Sequence, residues 1–358
     1  MSGSVVVHGS VNIDEFFGVP HIIQPGETLT STSYSRRPGG KGANVAVSCA
    51  KAGTRTMLSG WIGQDGDWLK EYLGSVPNLD IGDLMVSGTH PTGRAIIQLS
   101  PAGENSIIVV PGANHQSEYD SSLLSLHETT KNPTHLLMQL EIPFSHVLQS
   151  LRLAKSAPKP LTTVLNLSPF PSLADLHKFH WEAIDWLVLN ESEAKCLLEK
   201  EDAKSQDADD EWVIDELIDW ARGRKGPNVG IVLTMGENGV MVGMRMDKED
   251  EDESDFKKGL KAREILERDD EKRWWKIKVP AGKLDGDVVD TTGAGDCWVG
   301  YFTAQMAKTN GTSNPNVQQL LRFLRTSNQA AAMCVQRQGA MESVPSMEEV
   351  TKRLKVKE

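Results

Sequence analysis

The sequence predicts an α/β protein: a mostly parallel central sheet flanked by helices, with a small β-sheet lid. Two observations carry the main sheet. Short apolar runs rich in β-branched residues recur along the chain, and amphipathic helical patterns lie between them. A third carries the lid, because residues 15–38 and 93–110 break the alternation with strand-like runs joined by turns.

Taken in order, VVVHG (5–9), RTMLSGWIG (55–63), HLLMQL (135–140), TTVLNL (162–167), WLVLN (186–190) and VGIVLTM (229–235) read as buried strands. The helical patterns are 42–52, 67–73, 144–157, 192–199 and 212–224, the first stopping at Gly53 as a glycine after a helix end should. Strand, helix and strand repeated in this way imply parallel strands covered on both faces. In the lid, GRAIIQL and SIIVV flank the turn PAGEN, which predicts a small antiparallel sheet standing off the main one. The expected division is 1–14, 39–92 and 111–358 for the α/β domain, and 15–38 with 93–110 for the lid. Residues 244–275 interrupt what should be a tight connection between two strands. They are too charged for a core and read as a solvated loop or helical excursion, with Trp274 and Trp275 packing its end onto the body.

Composition narrows the function. In 358 residues, 39% hydrophobic and 24% charged residues are the balance of a globular protein with a sizeable core. No apolar run approaches the roughly 18–20 residues of a membrane span, and the first residues lack a secretory leader pattern. Four widely spaced cysteines indicate neither a zinc ribbon nor a disulfide framework. The expected location is cytoplasmic, with the nucleus left open. Most of the net charge of −11 falls in two segments, 199–211 and 247–273. The acidity therefore does not argue against an anionic substrate elsewhere, and the absence of a basic footprint argues against nucleic acid.

Walker-type, dinucleotide-binding, zincin and nucleophile-elbow motifs are absent. Three other motifs carry chemistry. Asp290-Thr291-Thr292-Gly293-Ala294-Gly295-Asp296 feeds an apolar helix. A glycine-rich turn feeding a helix presents free N–H groups and the positive end of the helix dipole, an anion hole suited to a phosphoryl group. Asp296 could there act as base on an attacking hydroxyl, or merely cap the helix. Gly39-Gly40-Lys41-Gly42-Ala43-Asn44 opens another helix; its glycines would let the backbone approach a ligand, and Lys41 and Asn44 offer donors. In Gly9-Ser10-Val11-Asn12-Ile13-Asp14, Asn12 and Asp14 point the same way from an extended segment and can grip vicinal hydroxyls, or form an Asx turn.

Together these motifs resemble the ribokinase-like (PfkB) carbohydrate kinases. The resemblance extends through PGETLT (25–30), PGAN (111–114), LLMQLE (136–141), LNLSP (165–169), NESEAKCL (190–197), LTMGENG (233–239) and RQGAMESVP (337–345), in the family's order over roughly residues 5–345. It implies an ATP-dependent sugar kinase that converts ribose to ribose 5-phosphate. A related kinase for deoxyribose, fructose or a nucleoside, or a silent sugar-binding protein, stands as the alternative. The resemblance also implies that Asn12, Asp14, Gly40, Lys41, Asn44 and Glu141 bind the sugar while Asp296 deprotonates it. Asn190 and Glu193 would arrange Mg²⁺ and the phosphates through water, and Thr234, Gly236, Gly239, Gly295 and Asn328 would contact ATP. An activating K⁺ would take the side chain of Asp290, the carbonyls of Thr292, Cys334, Arg337 and Gly339, and Ser343. Partners are thus ribose and ATP, with a homodimer expected through the lid. Two departures stand out: Ser192 occupies a position where the family commonly has threonine, and the insert is longer than the family pattern.

Overall fold

A computed structural model describes residues 3–115, 133–199, 209–223, 229–245, 260, 264–268, 274–309 and 314–355. The amino-terminal part runs β1 (Ser4–His8), β2 (Asn12–Gly18), β3 (Ser33–Gly39), α1 (Lys41–Lys51), β4 (Thr56–Gly63), α2 (Asp67–Gly74), β5 (Leu79–Asp80), β6 (Leu84–Ser87), β7 (Gly93–Leu99) and β8 (Asn105–Val110). The middle runs β9 (Pro133–Met138), α3 (Phe144–Ser156), β10 (Thr162–Asn166), α4 (Leu173–Leu176), β11 (Trp186–Asn190), α5 (Glu191–Glu199) and α6 (Asp210–Gly223). The rest comprises β12 (Gly230–Thr234), β13 (Val240–Arg245), β14 (Ile265–Arg268), β15 (Trp274–Val279), α7 (Ala294–Ala307), α8 (Val317–Cys334) and α9 (Met347–Lys355).

The large sheet has the order β14-β15-β13-β12-β11-β10-β9-β1-β4-β5, with β6 also on β4. From β4 through β1, β9, β10 and β11 to β12 every pairing is parallel; β13, β14 and β15 add an antiparallel edge. Side chains alternate between the two faces, as strand geometry requires. Val5 and Val7 enter one apolar cluster with residues of α1, α7 and α8, whereas Val6 enters the other with residues of α3, α5 and α6. Burial on both faces is why these strands read as continuous apolar runs.

The second sheet, β3-β2-β7-β8, departs from the expectation of an antiparallel one. β2 pairs antiparallel with β3, but β2 and β7 are parallel, because the chain crosses α1 and β4 before returning. Asn12 and Asp14 stand on β2, within this sheet. The insert also differs from a simple excursion. Part of it, β14, pairs antiparallel with β15 at the edge of the large sheet. Trp274 and Trp275 are buried residues of β15 itself, so they pack the sheet rather than anchor a loop. The remaining acidic stretches, 200–208, 246–259, 261–263 and 269–273, lie outside the described residues.

Candidate active site

The first turn of α1 has no cap of its own, because Gly40 at the cap position carries no side chain. The amides come to rest on other elements. Lys41 N–H donates to Glu141 Oε2 at 2.9 Å, Gly42 N–H to Ser10 Oγ at 3.3 Å, and Ala43 N–H to the Ser10 carbonyl at 2.9 Å. Ser10 Oγ in turn donates to Glu141 Oε2 at 2.5 Å. The loops after β1 and β9 therefore satisfy helix donors that would otherwise be orphaned. The glycines serve this packing. A Cβ on Gly40 (φ 89°) would lie 2.7 Å from Asn12 N, and one on Gly42 would lie 2.4 Å from the Gly9 carbonyl carbon. The close approach is protein to protein, not the backbone-to-ligand approach expected from sequence.

Asn12 is buried, and its Oδ1 accepts from Asn114 Nδ2 at 2.7 Å; Asn114 Oδ1 accepts the Val11 N–H at 2.9 Å. Asn114, a residue of PGAN, thus orients Asn12, a role that the motif alone did not reveal. Asp14 fits where Gly39 has no side chain, since a Cβ there would fall 2.1 Å from its carboxyl carbon. Burial, followed by the charges of Glu141, Asp296 and Glu342, raises the Asp14 pKa from 3.8 to about 7.

Asp296 lies in the first turn of α7 and is 7% exposed. The cap residue of that helix is Gly293, with φ 73°, and no side chain makes a capping hydrogen bond there. Its Oδ2 accepts from Asn44 Nδ2 at 2.8 Å, while Lys41 Nζ stands 4.0 Å from Oδ1. Asp296 therefore spends its carboxylate on α1 rather than on capping its own helix. Burial raises its pKa, with Lys41 and Asn44 opposing. Lys41 is held protonated chiefly by Asp296. Among the described residues, Asn44 Oδ1 is buried without a hydrogen-bond donor, and no atom beyond the neighbouring residues and the helix's own backbone lies within 4 Å of the position a Cβ on Gly295 would take. The Ala294 N–H lies 3.3 Å from the Thr291 carbonyl, so that amide is partly engaged.

At the carboxyl end of β11, Asn190 and Glu193 form a reciprocal pair. Asn190 N–H donates to Glu193 Oε2 at 2.9 Å, and Glu193 N–H to Asn190 Oδ1 at 2.8 Å. They do share one face, but each spends an oxygen on the start of α5. Among the described residues no group of three or more His, Cys, Asp or Glu is placed to hold a metal. A single carboxylate beside an amide suits a divalent cation that arrives on phosphates and keeps its waters. Thr234 ends β12, Gly236 (φ 50°) faces open space, and Gly239 turns the chain into β13 against the Val279 carbonyl. Asn328 is committed internally: Oδ1 accepts from Trp298 Nε1 at 2.6 Å, and Nδ2 donates to the Val279 and Pro280 carbonyls. It fastens α8 to α7 and to the loop after β15, so any part in holding a base is through that loop.

The residues expected around K⁺ gather between the start of α7 and the turn after α8. Asp290 accepts the Thr292 N–H on Oδ1 and the Gly339 N–H on Oδ2, both at 2.9 Å, and those donors help keep it below its usual pKa. Ser343 Oγ donates to the Ala340 carbonyl at 2.8 Å and lies 2.9 Å from Cys334 Sγ. The Cys334 carbonyl receives the Arg337 N–H at 3.0 Å, while the Arg337 guanidinium pairs with Glu349. A carboxylate, a hydroxyl and turn carbonyls are oxygen donors that suit a hard cation. Sequence reasoning missed Lys51, whose Nζ donates to the Met341 and Val344 carbonyls at 2.8 and 2.9 Å and steadies this turn.

Comparison with known proteins gives the chain its relatives. The family model described as "pfkB family carbohydrate kinase" matches residues 2–252 and 276–347, omitting most of the charged insert. The ribokinase of Haemophilus influenzae is 30% identical over 352 residues, covering 98% of this chain and 97% of its own. The crystal structure of ribokinase from Cryptococcus neoformans var. grubii serotype A in complex with ADP superposes with a TM-score of 0.78 at 36% identity, over 98% of this chain and 100% of that one. The Arabidopsis thaliana ribokinase complexed with ribose and ATP gives a TM-score of 0.76 at 26% identity, over 99% of both. Taken with the two-sheet architecture and the aspartate beside a glycine-rich helix start, these likenesses show that the chain belongs to the pfkB family of carbohydrate kinases.

Proposed function

We propose that the protein phosphorylates D-ribose at its 5-hydroxyl, giving ribose 5-phosphate and ADP. The observation that carries this is the buried Asp296 carboxylate, held by Asn44 and Lys41 next to the open space over Gly295. Asn12, Asp14, Lys41, Asn44 and Glu141 bind the sugar, with Gly40 shaping the floor; the unpaired Asn44 Oδ1 accepts a sugar hydroxyl. Asp296 takes the proton of the 5-hydroxyl. The oxygen so freed bonds to the γ-phosphorus as the bond to the β–γ bridging oxygen breaks, and ADP leaves with that electron pair. The Gly293, Ala294 and Gly295 amides hold the charge developing on the transferred group. The raised pKa of Asp296 makes it a stronger base than an exposed aspartate.

ATP lies along Thr234, Gly236, Gly239 and Gly295, with the loop tied down by Asn328 beside the adenine. Asn190 and Glu193 would hold Mg²⁺ through water, and the ion would supply charge that neutralises the phosphates. Asp290, Ser343 and the carbonyls of Thr292, Cys334, Arg337 and Gly339 would hold K⁺, which would supply positive charge near the anion hole. The second sheet acts as a lid that excludes water, and its outer strand joins two copies in a homodimer. The test is ADP release with Mg-ATP and ribose, deoxyribose, fructose or adenosine, in K⁺ and again in Na⁺. Ribose turned over fastest, and slower without K⁺, is the expected result. Faster turnover of another acceptor would overturn the ribose assignment, and equal rates in both salts would overturn the K⁺ assignment.

A further inference from the structure

Arg37 is a half-buried cation of β3 whose charge is among those keeping Asp290 below its usual pKa, and it touches none of the groups assigned to the sugar. It stands opposite Asp14 in the β2–β3 register, so the two side chains share a face of the second sheet. Its guanidinium carbon lies 5.3 Å from the centre of the Phe16 ring, which directs it along that face. It ends at the turn following α8. There the position a Cβ on Gly339 would occupy is 3.3 Å from Arg37 Nη1 and 2.8 Å from Glu342 Oε2. The two charges therefore face each other across a residue with no side chain to separate them. Glu342 is exposed, and the described residues give neither side chain a hydrogen bond or an ion pair. Both ends of the gap belong to working parts. Gly339 N–H donates to Asp290, and the Glu342 charge is among those acting on Asp14.

We propose that Arg37 and Glu342 are positioning residues that close into an ion pair across Gly339 when the sugar site fills, holding the second sheet over the reacting hydroxyl. The inference rests on the sugar kinase reading and on the lid role of that sheet. Closure removes water from the gap, which strengthens a pair that would be weak if left exposed. It also neutralises a charge that disfavours ionised Asp14. A glycine at 339 is required for the gap to shut, since a methyl there would meet both side chains.

Charge reversal with rescue tests it. Arg37→Glu and Glu342→Arg should each raise the ribose Kd about 5-fold to 10-fold, and the double swap should return it to within about 2-fold of the wild type. Their Tm values without sugar should match the wild type. Single reversals that leave the ribose Kd unchanged, or a swap no better than the two changes added together, would overturn the proposal. So would equal losses of Tm, which would mark a merely structural pair. Binding of ribose is separable from approach of the two positions. An Arg37→Cys/Glu342→Cys protein treated with glutathione disulfide should cross-link, and faster with ribose present. No cross-link under either condition overturns the pair. A cross-link in a protein whose wild type binds no ribose overturns the ribose reading alone.

Discussion

Asp296 is buried and Asp14 half-buried, and the proposed function gives the two carboxyl groups different tasks. Asp296 has a donor and a cation within reach, and both oppose the rise in pKa that burial causes. Asp296→Asn should lower kcat by about 10²-fold to 10⁴-fold, the range for loss of a general base. The ribose Kd by calorimetry should stay within a few-fold, and an unchanged kcat would remove Asp296 from the chemistry. Asp14 has acidic neighbours instead, and its pKa rises to about 7. Its carboxylate grips sugar hydroxyls best when ionised, so affinity should increase as pH rises through 7. The ribose Kd at pH 6 should be about ten times that at pH 8, and Asp14→Asn should flatten the profile as well as weaken binding. Stability runs in the opposite direction. Unfolded Asp14 releases its proton near 3.8 and the folded group near 7, so its contribution is fully present below 3.8 and is lost as pH rises through 7.

Two helix starts show how glycine can serve packing at one place and chemistry at another. At α1, Gly40 has a positive φ and its missing side chain lets Asn12 and Ser10 approach. Gly40→Ala should cost about 3 kcal/mol through left-handed strain and overpacking, read as a lower urea midpoint; an unchanged midpoint would contradict the packing role. At α7, nothing crowds Gly295. Gly295→Ala should change stability by no more than about 1 kcal/mol. Its kcat should fall about 10²-fold because the methyl enters the space of the transferred phosphate. Full activity in Gly295→Ala would move that phosphate elsewhere. The element that connects the two halves of the site is α1. Its first turn is fastened by Ser10 and Glu141, and Lys51 in its last turn holds the carbonyls of Met341 and Val344.

For the whole molecule, the second sheet is the part least able to stand alone. Its outer strand β8 exposes Ile107 (53%), Ile108 (56%), Val109 (53%) and Val110, with Leu99 exposed on the neighbouring β7. A long apolar edge strand is a site for pairing with another chain. Sedimentation equilibrium should therefore give twice the mass of one chain, and Val109→Lys should return it toward one. A single-chain mass for the wild type at micromolar concentration would refute the dimer. By contrast, the inner strands of the large sheet each have hydrogen-bonded strands on both sides, which leaves them no free edge for such pairing.

The sequence by itself determined what depends on local pattern. The apolar runs that became β1, β4, β9, β10, β11 and β12, and the glycine-bounded helix α1, were legible because burial on two faces and helix termination leave direct marks. The ordered motifs from GSVNID to RQGAMESVP were legible for the same reason: helix starts and strand ends that meet a ligand need particular residues. Tertiary structure alone decided what depends on partners distant in the chain. It made β2 and β7 parallel, turned part of the insert into β14, showed that Gly40 and Gly42 pack protein against protein, and tied up Asn328 within the body. It also brought Lys51 to the turn holding Met341 and Val344, about 290 residues away, and set Arg37 and Glu342 on either side of Gly339. Such contacts leave no period or spacing in the sequence, because a hydrogen bond or an ion pair depends on separation in space rather than distance along the chain.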